Sequence, residues 1–525
     1  MLIQEATLTG KKQPHLLVDV FAGPGGLGEG FASRTGAKGS SRFKYALSVE
    51  KDADAHSTLT LRHFVRAFGT SEFPEDYYRY LASDLSLDQL YAAHPKEQAS
   101  AADSARQIRL GEGSHVEVKR LLNARLKDHA RWALVGGPPC QAYSLAGRSR
   151  MGGDPDFEQD ERHFLYKEYL KIIADHLPPV FVMENVKGLL SATVEGVSMI
   201  SRIVGDLENP SKAVRARSHG VKYHLYSLVE QEEAGGTVDP RMFIVRAEDF
   251  GVPQARHRMF IVGVRSDLNV RPSLLKRQVA PSVRDMIGDL PRIRSRLSRE
   301  VDSPARWRAA VSRIQPAEIA RHLNGAAYTK AVRSEIEVVT GQFADWPKDA
   351  FATAYANRPG RPSNAVSLVR DPLLRVLDGH VSRSHMASDL QRYMFAAVFA
   401  NATKRSPKLS DFPPSLLPIH GNVSKGVTGE MFADRFRVQL PDRASKTITS
   451  HISKDGHYFI HYDPLQCRSL TLREAARLQT FPDNYRFLGN RTSQYHQVGN
   501  AVPPHLAGQI ADIVADLLDR VSEET

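Results

Sequence analysis

The sequence has very few cysteines. Only two, Cys140 and Cys467, occur in 525 residues, so neither a disulfide framework nor a four-cysteine zinc site can form. This scarcity is typical of a protein that stays reduced inside the cell. We therefore expect a cytoplasmic protein that binds no metal ion.

Long apolar runs are also missing from the sequence. No stretch approaches the roughly 20 apolar residues that a membrane-spanning helix needs, so we expect no membrane association. Hydrophobic residues make up 42% of the chain and charged residues 25%, a composition typical of globular domains. A chain of 525 residues is long enough for about three domain-sized units.

Acidic residues are fewer than basic residues. The sequence has 70 lysines and arginines against 59 aspartates and glutamates, which gives a formal net charge of +11. A positive excess favours a polyanionic partner such as nucleic acid. An inert basic surface would have the same charge, so composition alone leaves the partner open.

Strands and helices alternate in the first half of the sequence. A helix is predicted over 164–176, and strands are predicted at 16–20, 45–49, 79–83, 132–135, 180–183 and 259–264. This alternation indicates βαβ units and an α/β fold with a mostly parallel sheet. Prolines and basic residues interrupt the pattern in the middle of the chain. We therefore predict three segments, at 1–265, 266–460 and 461–525.

A glycine-rich loop follows the first predicted strand. Gly23, Gly25 and Gly28 have the spacing of a dinucleotide-binding loop, in which backbone N–H groups approach a polar or anionic ligand. Glu50 ends the second predicted strand, where it can bind ribose hydroxyls. These features favour a cofactor that contains adenosine and leave NAD and S-adenosylmethionine both open. A tight turn without a ligand would have the same spacing.

Cys140 lies in the stretch GGPPCQAYS, directly after the predicted strand at 132–135. Pro138 and Pro139 stiffen the backbone in front of it, which suits a nucleophile presented from a loop. The alternative interpretation is a small buried apolar residue, because free cysteines are among the most buried residue types. The local sequence alone does not separate the two.

Two further groups have the chemistry of a catalytic site. Glu184 directly follows the strand at 180–183, where partial burial would raise the pKa of its carboxyl and let it donate a proton. Arg256 and Arg258 are two residues apart, so in an extended segment both would project from one face and could grip a phosphate or a base carbonyl. Taken alone, Glu184 could instead be a helix-capping or ion-paired residue, and the two arginines could instead form a solvated basic face.

Six stretches together resemble the ordered motifs of the cytosine-5 DNA methyltransferases. They are DVFAGPGGLGEGF at 19–31, GGPPCQAYS at 136–144, MENVKGLL at 183–190, QARHRMFIVG at 254–263, LTLREAARLQTFPDNY at 470–485 and QVGNAVPP at 497–504. The resemblance implies a Rossmann-like methyltransferase fold, S-adenosylmethionine as cofactor and double-stranded DNA as substrate.

The resemblance also implies roles for individual residues. Cys140 matches the nucleophile that attacks C6 of cytosine, Glu184 the group that contacts N3 and the exocyclic amine, and Arg256 and Arg258 the pair that supports the nucleophile loop and the base. The positions that match the cofactor site are Phe21, Gly23, Gly25, Leu27, Glu50, Asp84, Pro139, Asn500 and Val502.

The middle segment, 266–460, matches the target-recognition domain inserted into the family's catalytic domain. Expected DNA contacts, from this region and from the loop after Cys140, are Gln141, Ser144, Arg148, Arg150, Lys446, Thr449 and Lys454. Cys467 matches no catalytic position, and we expect it to be structural.

The family setting favours a restriction–modification or defence role near the nucleoid, with a cognate restriction endonuclease or defence proteins as partners. A cytosine-5 methyltransferase of the same fold that acts on tRNA is an alternative, which the long inserted segment disfavours. A nicotinamide-dependent oxidoreductase would leave Cys140, Glu184 and the arginine pair without a role. A catalytically silent DNA-binding relative is disfavoured because these catalytic residues are present.

Overall fold

The computed structural model describes most of the chain. The described residues are 13–36, 39–69, 73–127, 129–139, 165–194, 197–216, 220–231, 239–314, 316–323, 325, 327–342, 346–355, 364–419, 423, 427–428 and 433–524. The predictions for Cys140, Gln141, Ser144, Arg148 and Arg150 lie outside these ranges.

The first half of the chain forms an eight-stranded sheet. The described strands are β1 His15–Val20, β2 Phe43–Glu50, β3 Ala105–Gln107, β4 Trp132–Gly136, β5 Val180–Val186, β6 Thr193–Val194, β7 Val197–Ser198, β8 Tyr223–Tyr226, β9 Ile244–Arg246, β10 Gln254–Ala255, β11 His257–Arg265, β12 Arg296–Leu297, β13 Ser384–His385 and β14 Ser445–Lys446. The large sheet has the order β3-β2-β1-β4-β5-β11-β8, and β9 also pairs with β11. Strands β1 to β5 are parallel, whereas β11 is antiparallel to its neighbours. The predicted α/β fold with a mostly parallel sheet is confirmed.

Helices cover both faces of this sheet. The described α-helices are Gly26–Ala32, Ala53–Arg66, Glu75–Leu81, Leu87–Ala93, Pro95–Ser104, His115–Leu126, Leu165–His176, Met199–Glu208, Pro210–Ala213, Val283–Ile287, Pro304–Val311, Pro316–His322, Thr329–Gly341, Ala387–Thr403, Leu472–Leu478, Arg491–Asn500 and Pro504–Glu524. None of them is both long and apolar enough to cross a membrane.

Side chains of each central strand alternate between two cores. Along β1, Val18 and Val20 belong to one core and Leu17 to the other, and along β4 Leu134 and Val135 separate in the same way. Because both faces of the sheet are buried, its strands are continuous apolar runs rather than alternating ones. This explains why most of these strands could be predicted from short apolar segments.

The last helix returns to the sheet next to the glycine-rich loop. Pro504–Glu524 packs against Gly26–Ala32, and a Cβ on Gly30 would lie 2.3 Å from the Cβ of Ala507. Glycine at 30 therefore permits the close approach of the two helices. The last described helix is therefore packed against the helix that follows the glycine-rich loop.

One predicted strand, at 79–83, is wrong. The segment belongs to the helix Glu75–Leu81, whose first turn is acidic and whose Tyr77, Tyr80 and Leu81 are buried. Burial at this spacing follows a helical period, which the five-residue window could not show. The third strand of the sheet is instead Ala105–Gln107, a segment too short and too polar to give a strand pattern.

Residues after the sheet form a second body with its own core. Helices Pro304–Val311, Thr329–Gly341 and Ala387–Thr403 pack around an aromatic and aliphatic cluster that extends from Leu297 to Cys467. Cys467 is 2% exposed in this core. A further cluster joins residues 283–290 to residues 470–501, so the second body is packed against the end of the chain that follows it.

Candidate active site

A cleft of about 2890 Å³ opens at the carboxyl ends of the parallel strands. Its walls come from the loops after β1, β2, β4 and β5 and, on the opposite side, from the second body. The predicted site residues that line it are Phe21, Gly23, Leu27, Glu50, Pro139, Glu184, Arg258, Thr449, Lys454, Asn500 and Val502. Ligands of open parallel sheets bind at this edge.

The glycine-rich loop has a backbone that only a few residue types adopt without strain. Gly23 and Gly25 have φ values of 58° and 93°, and Phe21 has a φ of 57°. A Cβ on Gly25 would lie 2.8 Å from Cδ1 of Leu59, so Gly25 supports the loop from behind and does not line the cleft. The hydroxyl of Tyr485 donates to the carbonyl of Pro24, which ties the loop to the end of the chain.

Glu50 is held rigidly at the end of β2. Its Oε2 accepts from the N–H of Gly23 at 2.8 Å, and its Oε1 accepts from the N–H groups of Lys51 and Asp52, both at 2.8 Å. A carboxylate has about four acceptor positions, so it retains capacity for a ligand hydroxyl. The geometry suits the ribose-binding role that the sequence predicts for it.

Asp19 lies beneath the same loop and was not identified from the sequence. Its side chain is 1% exposed, and neither oxygen has a side-chain partner among the described residues, although the backbone of Gly28 opposes part of its pKa shift. Burial, with the nearby charge of Glu50, raises the pKa of Asp19 to about 8. Positive φ values, a fixed carboxylate and an unpaired buried acid together fit a cofactor that carries both hydroxyls and a cationic group, as S-adenosylmethionine does.

The segment before Cys140 is packed against the end of β5. A Cβ on Gly137 would lie 2.9 Å from Oε2 of Glu184, so only glycine lets the two come this close. Asn185 is 3% exposed, and its Nδ2 donates to the carbonyl of Pro138 at 3.2 Å. The sequence signal for Asn185 was its place beside Glu184, but its partner was not predictable.

Glu184 is paired with one of the two predicted arginines. The Nε of Arg258 lies 3.2 Å from Oε1 of Glu184, across the antiparallel pair formed by β5 and β11. Burial raises the pKa of Glu184, and the positive charges of Arg258 and Arg256 oppose part of that rise. The carboxyl therefore keeps its proton to a higher pH than an exposed glutamate and is suited to donate it.

Arg256 has different partners from Arg258. The N–H of Arg256 donates to the carbonyl of Gln254 at 2.8 Å, so the backbone makes a tight turn directly before β11. Arg256 is 1% exposed, and its guanidinium donates to the carbonyls of Ile448 and Gly499 at 2.9 and 3.2 Å. It joins β11 to two other parts of the cleft wall.

The last motif connects the cofactor loop to the wall formed by the second body. A Cβ on Gly499 would lie 2.2 Å from the backbone nitrogen of Ser450, and a Cβ on Gly26 would lie 2.5 Å from the carbonyl oxygen of Val502. Asn500 is exposed to the cleft between these two contacts. A larger side chain at Gly499 or at Gly26 would therefore push apart the segments that meet there.

Two predicted positions lie away from the cleft. Asp84 is exposed in the turn after the helix Glu75–Leu81 and is not among the described residues that line the cavity. The residues that do line it beside β2 are Gln107 and Ile108, at the end of β3. Lys446 is also exposed outside the cleft. It belongs to β14, which pairs with β10.

Comparisons with known proteins identify the family of the chain. The family model for C-5 cytosine-specific DNA methylase matches residues 111–515. The Type II methyltransferase M.Bpa9945I of Bacillus paralicheniformis is 30% identical over 539 residues, covering 96% of this chain and 99% of that protein. The DNA (cytosine-5-)-methyltransferase M.ApeKI of Aeropyrum pernix is 25% identical over 424 residues, covering 74% of this chain and 82% of that protein.

Among solved structures, the Schizosaccharomyces pombe Dnmt2 methyltransferase aligns with a TM-score of 0.40 and 12% identity, over 96% of this chain and 98% of that one. The family match covers most of the sequence, and it includes the β4 loop, β5, β11 and the last two motifs. The chain therefore belongs to the C-5 cytosine-specific DNA methylase family and is a DNA (cytosine-5-)-methyltransferase.

Proposed function

We propose that the protein transfers a methyl group to C5 of cytosine in a specific sequence of double-stranded DNA, through a covalent bond between Cys140 and C6. One observation carries the proposal. Glu184, paired with Arg258, lies against Gly137 three residues before Cys140 in the sequence. The same cleft contains the glycine-rich loop and Glu50, so the methyl donor and the target cytosine can be bound side by side.

The chemistry requires a nucleophile because C5 of an aromatic cytosine ring is unreactive. Addition of the Cys140 thiolate to C6 breaks the aromaticity and makes C5 electron-rich, so that C5 can accept a methyl group. Glu184 stabilises this charge redistribution by donating a proton toward N3. Loss of the C5 proton to a base and departure of the Cys140 thiolate then restore the ring.

Residues of the chain fit S-adenosylmethionine, which when bound supplies an electrophilic methyl group. Glu50 would bind the ribose hydroxyls, the backbone of Gly23 would approach the ligand closely, and Phe21 would pack against it. Asn500 and Val502 line the same cavity and would close it toward the base. Asp19, whose raised pKa keeps it protonated near neutral pH in the unliganded protein, would release that proton beside the cationic ligand and then balance part of its positive charge.

The DNA must present its cytosine outside the helix, because a stacked base cannot reach a half-buried carboxyl inside the cleft such as that of Glu184. The second body faces the strand ends across the cleft, and we assign target recognition to residues 266–460, with Thr449 and Lys454 among the DNA contacts. The relative from Bacillus paralicheniformis is named a Type II methyltransferase, and a restriction–modification role at the nucleoid completes the proposal.

The test begins with expression in a host that lacks cytosine methylation. Bisulfite sequencing of its DNA should show 5-methylcytosine in one sequence context, and Cys140→Ser should abolish it while binding of S-adenosylmethionine survives. Duplex DNA with 5-fluorocytosine at that site should form a covalent adduct, because the fluorine cannot leave as a proton does. Retained turnover by Cys140→Ser, or methylation of tRNA in preference to DNA, would contradict the proposal.

A further inference from the structure

One arginine of the second body lines the cleft, and no described residue is its counter-ion. Arg435 lines the cavity together with Leu409 and Tyr458. Two other arginines of this body are neutralised, because Arg437 pairs with Asp434 and Arg405 pairs with Asp411. Within the described part of the chain, no ion pair includes Arg435. Its charge is therefore available to a ligand in the cleft.

The backbone that carries Arg435 is firmly anchored. Phe436 is 2% exposed, and its ring lies 5.2 Å from that of Phe412 and 4.9 Å from that of His457. The N–H of Arg437 donates to the carbonyl of His457 at 2.8 Å. Burial alternates from 435 to 438, with Arg435 and Arg437 half-buried and the residues after each fully buried. The backbone of Arg435 is therefore held in place on the cleft side of the segment.

The setting of Arg435 differs from that of a nearby lysine on the same wall. Lys454 is exposed and has a long flexible side chain, which suits a point contact with a phosphate. Arg435 is half-buried, and Leu409 and Tyr458 line the same cavity. A guanidinium whose orientation is restricted is suited to a planar partner with two acceptors.

The major-groove edge of guanine offers such a partner. Its O6 and N7 atoms accept two parallel hydrogen bonds from an arginine, and this pairing is the commonest specific contact between protein and DNA. We propose that Arg435 recognises a guanine in the target sequence through O6 and N7. The inference rests on the proposed function, because it requires duplex DNA in the cleft.

The experiment measures base preference at every position around the target cytosine. A pool of duplexes randomised around that cytosine is bound to the full-length protein with S-adenosylmethionine, and the bound fraction is sequenced. The wild-type protein should select guanine strongly at one position. Arg435→Ala should lose about tenfold to hundredfold of that preference while other positions keep theirs, and Arg435→Lys should fall in between.

Two matched variants separate this role from general charge effects. Lys454→Ala should weaken binding to all sequences alike and leave every preference intact. Arg333 is 66% exposed and does not line the cleft, so Arg333→Ala should bind like the wild type. Weakening by Arg435→Ala that is uniform across sequences would overturn the proposal in favour of a phosphate contact, and unchanged selection would overturn it outright.

Failure of the proposed function would look different. A wild-type protein that leaves host DNA unmethylated contradicts the methyltransferase proposal, whatever Arg435 does. Thermal unfolding and S-adenosylmethionine binding show whether each variant is folded. If Arg435→Ala does not fold, Arg435→Lys decides by the same measurement, because it keeps the charge and loses the paired geometry.

Discussion

The side-chain amide of Asn185 donates to the carbonyl of Pro138 at 3.2 Å. This bond joins the end of β5, which carries Glu184, to the segment that directly precedes Cys140 in the sequence. The backbone N–H of Val186 donates to Oδ1 of the same side chain at 2.8 Å, so the amide is fixed in orientation. We therefore propose that Asn185 is a positioning residue, which holds the segment before Cys140 against the strand that carries Glu184.

Replacing Asn185 should slow the reaction more than it weakens ligand binding. In Asn185→Ala the Pro138 carbonyl loses its donor, and a displacement of about 1 Å in the nucleophile segment can cost on the order of a hundredfold in rate. We expect kcat to fall about tenfold to hundredfold with an unchanged dissociation constant for S-adenosylmethionine. Asn185→Asp keeps the size but not the donor and should behave similarly. A wild-type kcat in both variants would remove this role.

Replacing Glu184 should separate proton donation from binding. Burial raises the pKa of Glu184, so the protonated carboxyl persists to higher pH, and its contribution to the rate should fall as the pH rises through that pKa. Glu184→Gln should lower single-turnover rates by about 10²- to 10⁴-fold and lose this alkaline limb. Cofactor affinity, measured by titration, should stay within the error of the wild type. A full-rate Gln variant with the same pH profile would contradict the assignment.

Much of this site was predictable because its groups lie within short contiguous motifs. Gly23, Glu50 and Glu184 each lie where a strand ends and a loop begins, and a local sequence pattern is enough to predict such a boundary. The turn at Arg256 and the partner of Asn185 depend on contacts between segments far apart in the sequence. Such contacts have no local signal, and neither does the three-residue strand β3, whose edge position is set only by pairing with β2.

Cofactor affinity should depend on Glu50 and not on Asp84. Glu50→Ala removes a carboxylate held by three backbone N–H groups, and loss of hydrogen bonds to a charged group costs about 1.5–3 kcal/mol. Titration with S-adenosylmethionine should show the corresponding rise in dissociation constant. Asp84→Ala is the matched control, because this exposed carboxylate lies outside the cleft, and it should bind like the wild type. The reverse result would restore Asp84 to the site.

Buried histidines between the second body and the last motifs should make stability depend on pH. Burial lowers the pKa of His380 to about 4 and that of His385 to about 3, so both are neutral in the folded protein at pH 5. His385 contacts the hydroxyls of Tyr393 and Ser469, and the positive charges of Arg383 and Arg468 further disfavour its protonation.

The direction of this pH dependence follows from proton uptake on unfolding. Below pH 6.5 the unfolded chain protonates these histidines while the folded chain does not, so stability is complete above that pH and is lost as the pH falls toward the folded values. Each histidine that takes up one proton on unfolding contributes about 1.4 kcal/mol per pH unit to the slope of the unfolding free energy. His385→Gln should reduce the slope of the unfolding free energy between pH 6 and pH 4 by about that amount, as measured by urea denaturation. His224→Gln, an exposed position on β8, should leave the slope unchanged. Since the slope is compared and not the absolute stability, a general weakening by His385→Gln does not obscure the result, whereas an unaltered slope would show that His385 is protonated in the folded protein.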